Sequence, residues 1–463
     1  MLYWVIPTQF NRFRNIFLLV VSYLLYMNWN PSFALVLLGV TAICYWGGLQ
    51  IEKQSESAVK TKLCWCFASL GLLPLLVFKY YNFLNESLTG LLELAGLHFV
   101  LPGLNFAIPI GISFFTFQAV GYLLDVYHKR IQAETDFFDF ALFVSFFPQV
   151  ASGPISTAKD LMPQFKTPHS FKYEQGRDGL KMLLWGMFLK LVLADRIGIY
   201  VGIVYTNYIH YSGAICFFAS IMYTLQIYCD FAGYSLMAIG IARTLGFNLI
   251  NNFDRPYFAA SVTEFWKRWH ISLTRWLTTH VYINLGGNRC SKFRQYMNIM
   301  ITFLVSGLWH GANWSFVIWG ALHGVFQIIE KALIGDKIKS ELKQNATSFS
   351  IVRLFRVVLT FNLVSLAWIF FKMPTLHDSL AFIHSIFFNF GTFQVDPLDI
   401  ISIYSLGVAL PIFFAKDLYD EFFKDKFKWI EKPVIKWVFY ILIFCIMISM
   451  GVLDSGQFIY VNF

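Results

Sequence analysis

The stretch Ser306-Gly-Leu-Trp-His310-Gly-Ala-Asn-Trp-Ser-Phe-Val-Ile-Trp-Gly-Ala-Leu-His323-Gly324 sets two histidines inside a long apolar run, with Gly307, Gly311, Gly320, Gly324 and three tryptophans spaced among them. An ionisable ring is costly in lipid, so each histidine should face a bundle interior, a polar cavity or a partner, and a functional role is the default expectation. His310 stands beside Gly311 and Asn313, where a helix can break or pack its backbone closely against a neighbour. The simpler alternative is a buried histidine bonded to a backbone carbonyl. Apolar arms at 296–309 and 312–329 flank it, bounded by Arg294 and Lys331, whose charge reads as cytoplasmic. A helix from Arg294 to His310 reaches at most about 24 Å at ~1.5 Å per residue. The hydrocarbon core is ~30 Å thick, so the chain is expected to enter and turn within the membrane at His310-Gly311.

The rest of the chain has the same character. Of 463 residues, 57% are hydrophobic and 14% charged, and 51 are phenylalanine. Soluble domains carry about 25% charged residues, so this composition excludes a water-soluble globule. Further apolar runs lie at 16–29, 32–49, 63–78, 106–124, 137–150, 179–200, 215–229, 231–245, 354–371, 400–414 and 438–452, with shorter pieces at 88–101 and 380–390. The expected fold is all-α: one polytopic integral membrane domain over 1–463, with about eleven transmembrane helices plus re-entrant or interfacial ones. A polar loop is expected at 157–177. The net charge of +9 sits in short clusters between apolar runs, one of them Lys331, Lys337, Lys339, Lys343, Arg353 and Arg356. That is positive-inside topology rather than a nucleic-acid surface. Seven scattered cysteines give neither a disulfide framework nor a zinc site, and Cys64-x-Cys66 is one residue too tight for the usual ligand pair.

The segment 251–294 differs. Arg255, Lys267, Arg268, Arg275, Arg289, Lys292 and Arg294 oppose only Asp254 and Glu264, while Trp266, Trp269 and Trp276 recur at helical spacing with His270 close by. This reads as one basic, aromatic helix lying on or dipping into the membrane. Elsewhere polar residues within apolar runs are few: Gln118, Asp125, Asp230 and Tyr234. Asp230 near mid-run should find an arginine, a tyrosine or a helix N-terminus. A neutral imidazole can take a hydroxyl proton, so His270 and His310 could divide the work, one as base and the other holding an acyl carbonyl or the second proton. Gly-x-Ser-x-Gly, P-loop, Gly-x-Gly-x-x-Gly and His-Glu-x-x-His motifs are absent.

Phe265-Trp-Lys-Arg-Trp-His270-Ile-Ser-Leu, Leu285-Gly-Gly-Asn-Arg289 and Gly307-Leu-Trp-His310-Gly-Ala resemble the core of the membrane-bound O-acyltransferases. The resemblance runs on through Ile110-Gly-Ile-Ser-Phe-Phe-Thr-Phe-Gln118, Asp125-Val-Tyr127, Gly153-Pro-Ile155, Asp230-Phe-Ala-Gly-Tyr234 and Asn252-Phe-Asp-Arg-Pro-Tyr257. With Ala367-Trp-Ile-Phe-Phe-Lys372-Met-Pro-Thr it is nearest the bacterial branch that includes the membrane subunit of alginate O-acetyltransferase. The D-alanine transfer protein of teichoic acid modification is a more distant relative of that pattern.

The resemblance implies a central tunnel, with His310 catalytic and His270 across from it. Trp309, Asn313, Trp269, Gln118, Asp230 and Tyr234 are the expected substrate-binding residues, and Arg289, Lys292 and Arg294 the donor-side basic surface. No bound cofactor or metal is expected. Acetyl-CoA or another acyl thioester in the cytosol would be the donor, and an exported polysaccharide the acceptor. An extracytoplasmic acetyltransferase partner and a location in the bacterial cytoplasmic membrane complete the picture. Three departures stand out: Thr279-His280 where relatives usually have Asp-Tyr, with Asn284 for a nearby proline; Ser235-Leu236 after Tyr234; and Leu2-Tyr-Trp-Val-Ile-Pro7, which resembles the segment just after the first span of relatives. The last suggests a missing first helix, with an apolar span encoded upstream. D-alanyl-type transfer to a cell-envelope polymer, a proton-coupled transporter using His310 and Asp230, and a secretion scaffold are the competing expectations. Roles for His280 and His323 are not assigned.

Overall fold

The computed structural model describes residues 2–97, 102–334, 350–393, 400–424 and 426–452, and among them every regular element is a helix. Lys337, Lys339 and Lys343 of the expected basic loop lie outside the described residues. Among the described residues, six helices are long and apolar enough to cross a membrane: Pro31–Lys53, Ser57–Leu94, Gly213–Thr244, Trp314–Leu333, Ile351–Lys372 and Pro433–Met450. The chain divides into two compact units, Met1–Leu180 with Ala238–Ile250, and Lys181–Met237 with Asn251–Phe463.

The first unit contains α1 (Asn11–Met27), α2 (Pro31–Lys53), α3 (Ser57–Leu75), α4 (Tyr81–Leu94), α5 (Ile112–Tyr127), α6 (Phe137–Ser145) and α7 (Ala158–Lys166). Asn30-Pro31, which closes one apolar run, also opens the next helix: Asn30 Oδ1 accepts from the Ser32 amide and Pro31 occupies the first turn. Four expectations are corrected here. The runs 63–78 and 88–101 are not separate over the described residues, because α3 passes through a π-helical turn, Leu76–Tyr80, straight into α4 despite Pro74. The run 106–124 becomes helical only at Ile112, since Gly111 turns the chain at φ +74° against the next segment; a Cβ there would lie 2.2 Å from the Val150 carbonyl oxygen. The run 137–150 is helical for only nine residues, roughly 14 Å, too short to span. The expected polar loop at 157–177 contains α7 and the start of the next helix.

The second unit takes up the chain within α8 (Tyr173–Phe188), which continues through the π-helical turn Leu189–Ala194 into α9 (Asp195–Thr206). The runs 215–229 and 231–245 are one 32-residue helix, α10 (Gly213–Thr244). Asp230 does not interrupt it, because Lys190 Nζ comes within 2.7 Å of its carboxylate and also bonds Asp195 at 2.7 Å. Gly186 and Gly233 let α8 and α10 approach; a Cβ on Gly186 would meet the Gly233 oxygen at 2.6 Å. After α10 come α11 (Val262–Arg268), α12 (Ile271–Leu277), α13 (Lys292–His310), α14 (Trp314–Ile334), α15 (Ile351–Lys372), α16 (Leu376–Phe388), α17 (Ile400–Leu418) and α18 (Pro433–Met450).

Beyond α17, Glu421 is a charge hub. Its buried carboxylate takes Arg255 Nε at 2.9 Å, two Arg268 nitrogens at 3.0 Å each and Arg353 Nη2 at 3.4 Å. Arg255 and Arg268, which looked nearly unopposed within 251–294, are neutralised from far along the chain. Glu421→Gln leaves three guanidinium groups around an uncharged amide. Breaking a buried pair in this way typically costs about 3–5 kcal/mol, so the variant's Tm in detergent should fall clearly. A parental Tm would show that Asp254 and Glu264 suffice for these arginines.

Candidate active site

Two local structures carry the two histidines of interest, both in the second unit. The first is the α13–α14 hairpin. Ser291 Oγ caps α13 through the Arg294 amide, and the helix runs to His310, where Gly311 takes an extended conformation and ends it. Asn313 starts α14: its Oδ1 accepts from the Ser315 amide at 2.9 Å, and its Nδ2 donates to the Pro374 carbonyl at 2.9 Å. The expected turn at His310-Gly311 is therefore present. The helices close on paired glycines; a Cβ on Gly307 would lie 2.3 Å from the Phe316 oxygen, and one on Gly320 2.3 Å from the Phe303 oxygen. One turn beyond Gly307, the His310 ring is 1% exposed. It meets Trp319 edge-on at 5.0 Å and Phe371 of α15 at 5.2 Å between ring centroids.

The second local structure corrects the expectation of one aromatic helix. The helix breaks between Arg268 and Ile271, and His270 sits in the break with φ 43° and ψ 53°, in the left-handed region. A non-glycine residue held there typically costs about 1–3 kcal/mol unless its surroundings over-determine it. The loop at 252–254 does so. The Asp254 amide donates to the Arg268 carbonyl and the Ile271 amide to the Asn252 carbonyl, each at 2.9 Å, and the Ser272 amide donates to Asn252 Oδ1 at 3.1 Å. Ser261 Oγ caps α11 by accepting from the Glu264 amide at 3.0 Å, and Glu264 Oε2 accepts from the amide of Ala260, the residue before the cap, at 2.9 Å. Two bonds then pin α11 against α14: Trp266 Nε1 donates to His323 Nδ1 at 3.2 Å, and the Thr263 amide donates to Glu330 Oε2 at 3.2 Å. His323 is thus a buried packing histidine that locks the hairpin to α11.

These devices bring the His270 and His310 rings to 6.2 Å between centroids. His270 is fully buried, 5.5 Å from Trp309 and 4.7 Å from Phe231 of α10, with its Nδ1 3.2 Å from Asn252 Oδ1. Of the other expected residues, Trp309 adjoins both histidines, whereas Trp269 packs into an aromatic layer with Phe253 and Trp368 at 5.0 Å each. Asp230 is held by Lys190, a lysine rather than the arginine, tyrosine or helix N-terminus expected of it, and Tyr234 is half-buried further along α10. Asn313 serves as the cap described above. Gln118 belongs to the first unit, where its amide donates to the Phe143 carbonyl and its oxygen accepts from Gln149 at 3.2 Å. Arg289, Lys292 and Arg294 are exposed; His280 is half-buried, 4.9 Å from Trp276.

Asn252, Trp319 and Phe371 touch the histidine pair and Trp368 backs Trp319 at 5.4 Å, yet none of the four titrates near neutrality and so none stood out in the sequence. Their signal is positional: Asn252, Trp368 and Phe371 fall inside the acyltransferase-like motifs and Trp319 inside the stretch from Ser306 to Gly324. Among the described residues no three His, Cys, Asp or Glu side chains gather in a group able to hold a metal ion. Two enclosed imidazoles within one side chain's reach, walled by indole and phenyl rings, provide a dry setting for moving a proton off a hydroxyl.

Comparison with known proteins gives the same motifs a context. The model of the MBOAT, membrane-bound O-acyltransferase, family matches residues 45–361. Over 430 residues the chain is 36% identical to the probable alginate O-acetylase AlgI of Pseudomonas syringae, covering 90% of this chain and 80% of that protein. It is 33% identical over 398 residues to a peptidoglycan O-acetyltransferase of Helicobacter pylori, covering 80% of this chain and 72% of that one. A teichoic acid D-alanyltransferase of Streptococcus thermophilus is 28% identical over 289 residues, 58% of this chain and 68% of its own length.

Proposed function

This chain belongs to the membrane-bound O-acyltransferase family, and we propose that it passes a short acyl group, acetyl above all, from a cytosolic thioester across the membrane to hydroxyls of an exported polysaccharide. As an O-acyltransferase and a multi-pass protein of the bacterial inner membrane it needs a hydroxyl made nucleophilic out of bulk water. The observation that carries the reading is the pair of enclosed histidines 6.2 Å apart, each on a motif of the family. His310 takes the hydroxyl proton and His270 manages the second proton or the acyl carbonyl. The oxygen attacks the thioester carbonyl, the C–O bond forms as the C–S bond breaks, and the thiolate leaves with the proton as a thiol. Acetyl is favoured over other groups because the relatives matched over most of the chain are named for O-acetylation. The handover to a polysaccharide calls for an extracytoplasmic acetyltransferase partner. Both histidines lie in the second unit. The Lys190 ion pair accounts for Asp230 without a transport relay.

The direct test supplies the purified protein in nanodiscs with acetyl-CoA and follows thiol release. Release that His310→Gln abolishes supports the proposal. No release with acetyl-CoA, but release from a carrier-bound D-alanyl thioester, would favour aminoacyl transfer, the activity named in the more distant relative.

The exposed Arg289, Lys292 and Arg294 are the proposed guide for an anionic donor. Replacing all three with glutamine should raise the donor's KM several-fold at low ionic strength and much less at high salt, since charges beyond about 10 Å are screened at ~0.1 M. An unchanged KM at low salt would leave these residues a topological role alone.

A further inference from the structure

Asn252 offers one oxygen to three groups: the Ser272 amide at 3.1 Å, the Ser272 hydroxyl at 2.9 Å and His270 Nδ1 at 3.2 Å. A backbone N–H only donates, so the atom facing it must be the carbonyl oxygen; the flipped amide would set N–H against N–H. The Asn252 amide nitrogen points the other way and donates to Ser235 Oγ of α10 at 3.4 Å. The side chain is therefore oriented from both ends. An amide oxygen cannot donate, and a bare ring nitrogen 3.2 Å from it would oppose two lone pairs. His270 Nδ1 must carry the hydrogen. In the neutral ring, Nε2 then carries the lone pair.

Resting on the use of His270 in acyl transfer, we propose that Asn252 is the positioning residue that holds His270 as its Nδ1–H tautomer and so makes Nε2 a proton acceptor. This decides between the two roles left open for His270. With no hydrogen on Nε2, the neutral ring cannot donate from that nitrogen to an acyl carbonyl; it accepts a proton. The proton it accepts is the hydroxyl proton handed on by His310, which returns to its neutral form; Nε2 gains that hydrogen, Nδ1 keeps its own on Asn252 Oδ1, and the resulting imidazolium is stabilised by the amide dipole. The proton later passes to the leaving thiolate, which restores the starting tautomer. The left-handed backbone of His270 serves the same end, because the Asn252 carbonyl that holds the Ile271 amide belongs to the residue that orients the ring. His310 is the titratable ring that faces His270 across the site, and Asp230, next to Phe231, is neutralised by Lys190.

The test begins with the full chain in nanodiscs, labelled with 15N-histidine and read by solid-state NMR, the His270 signals being those lost in His270→Gln. The expected spectrum shows Nδ1 protonated and Nε2 bare; a ring protonated at Nε2 overturns the proposal without any variant that needs to fold. Asn252→Asp keeps the acceptor and adds a charge. It should preserve the tautomer and shift the acid limb of the kcat profile to higher pH, since the imidazolium becomes easier to form. Asn252→Leu removes the acceptor and should mix the tautomers, lowering kcat about 10- to 100-fold with the thioester KM nearly unchanged, part of the range a general base supplies. Parental kcat in Asn252→Leu, or an unmoved acid limb in Asn252→Asp, counts against the proposal. Parental transfer by His270→Gln with the Nδ1–H tautomer confirmed would instead remove the catalytic reading of His270 and leave the structural finding in place.

Discussion

His310→Gln is expected to lower acyl transfer by roughly 100-fold or more, the scale of a lost general base, while the protein stays folded. Glutamine is the informative substitution because the ring is walled by Trp309, Trp319 and Phe371 at 4.8, 5.0 and 5.2 Å. Alanine there opens a cavity, and a large-to-small change in a packed site costs on the order of 2–5 kcal/mol, which would confuse lost chemistry with lost packing. Glutamine fills most of the volume and keeps a polar end without a group that titrates near neutrality. The decisive comparison sets transfer rate against Tm in detergent. A variant with parental Tm and parental rate would eliminate His310 as the base, and a collapse of Tm with both substitutions would make it a packing histidine like His323.

Gly307→Leu is expected to remove activity through geometry rather than chemistry. The Cβ alone would sit 2.3 Å from the Phe316 carbonyl oxygen, where real contacts stay beyond 3 Å, and backbone cannot move aside as a flexible side chain can. Helices α13 and α14 must separate, and His310, three residues on, moves with its helix. Overpacking of this kind costs about 1–3 kcal/mol or more. A displacement near 1 Å at a reacting group can lower a rate by about 100-fold. Gly320→Leu, which meets the Phe303 oxygen at 2.3 Å, should repeat the effect from the opposite helix. Both variants should lower Tm and kcat together, with the donor KM less affected. Normal rates in either would mean that the hairpin does not position His310.

Much of this protein could be read before it was folded. Composition alone excluded a soluble globule, and the hairpin at His310-Gly311-Asn313 was legible because its signals are local: glycine, an asparagine cap and two apolar arms lie within one stretch. The motifs placed the chain among the acyltransferases for the same reason. The break at His270 was different. Trp266, Trp269 and Trp276 keep helical spacing across it, and the donors and acceptors that replace the lost helix bonds come from Asn252 and Asp254, a loop whose partner periodicity cannot reveal. Likewise the apolar runs 215–229 and 231–245 read as separate on either side of Asp230, while Lys190, forty residues earlier, pairs that carboxylate within one continuous helix. Arg255, Arg268 and Arg353 read as a basic surface until Glu421 closes on three of the guanidinium groups. The sequence by itself determined the class, the hairpin and the family, each written in neighbouring residues. Which histidine faces which and where a helix must break were decided only by tertiary structure, because the hydrogen bonds and charges responsible join positions that no local pattern connects.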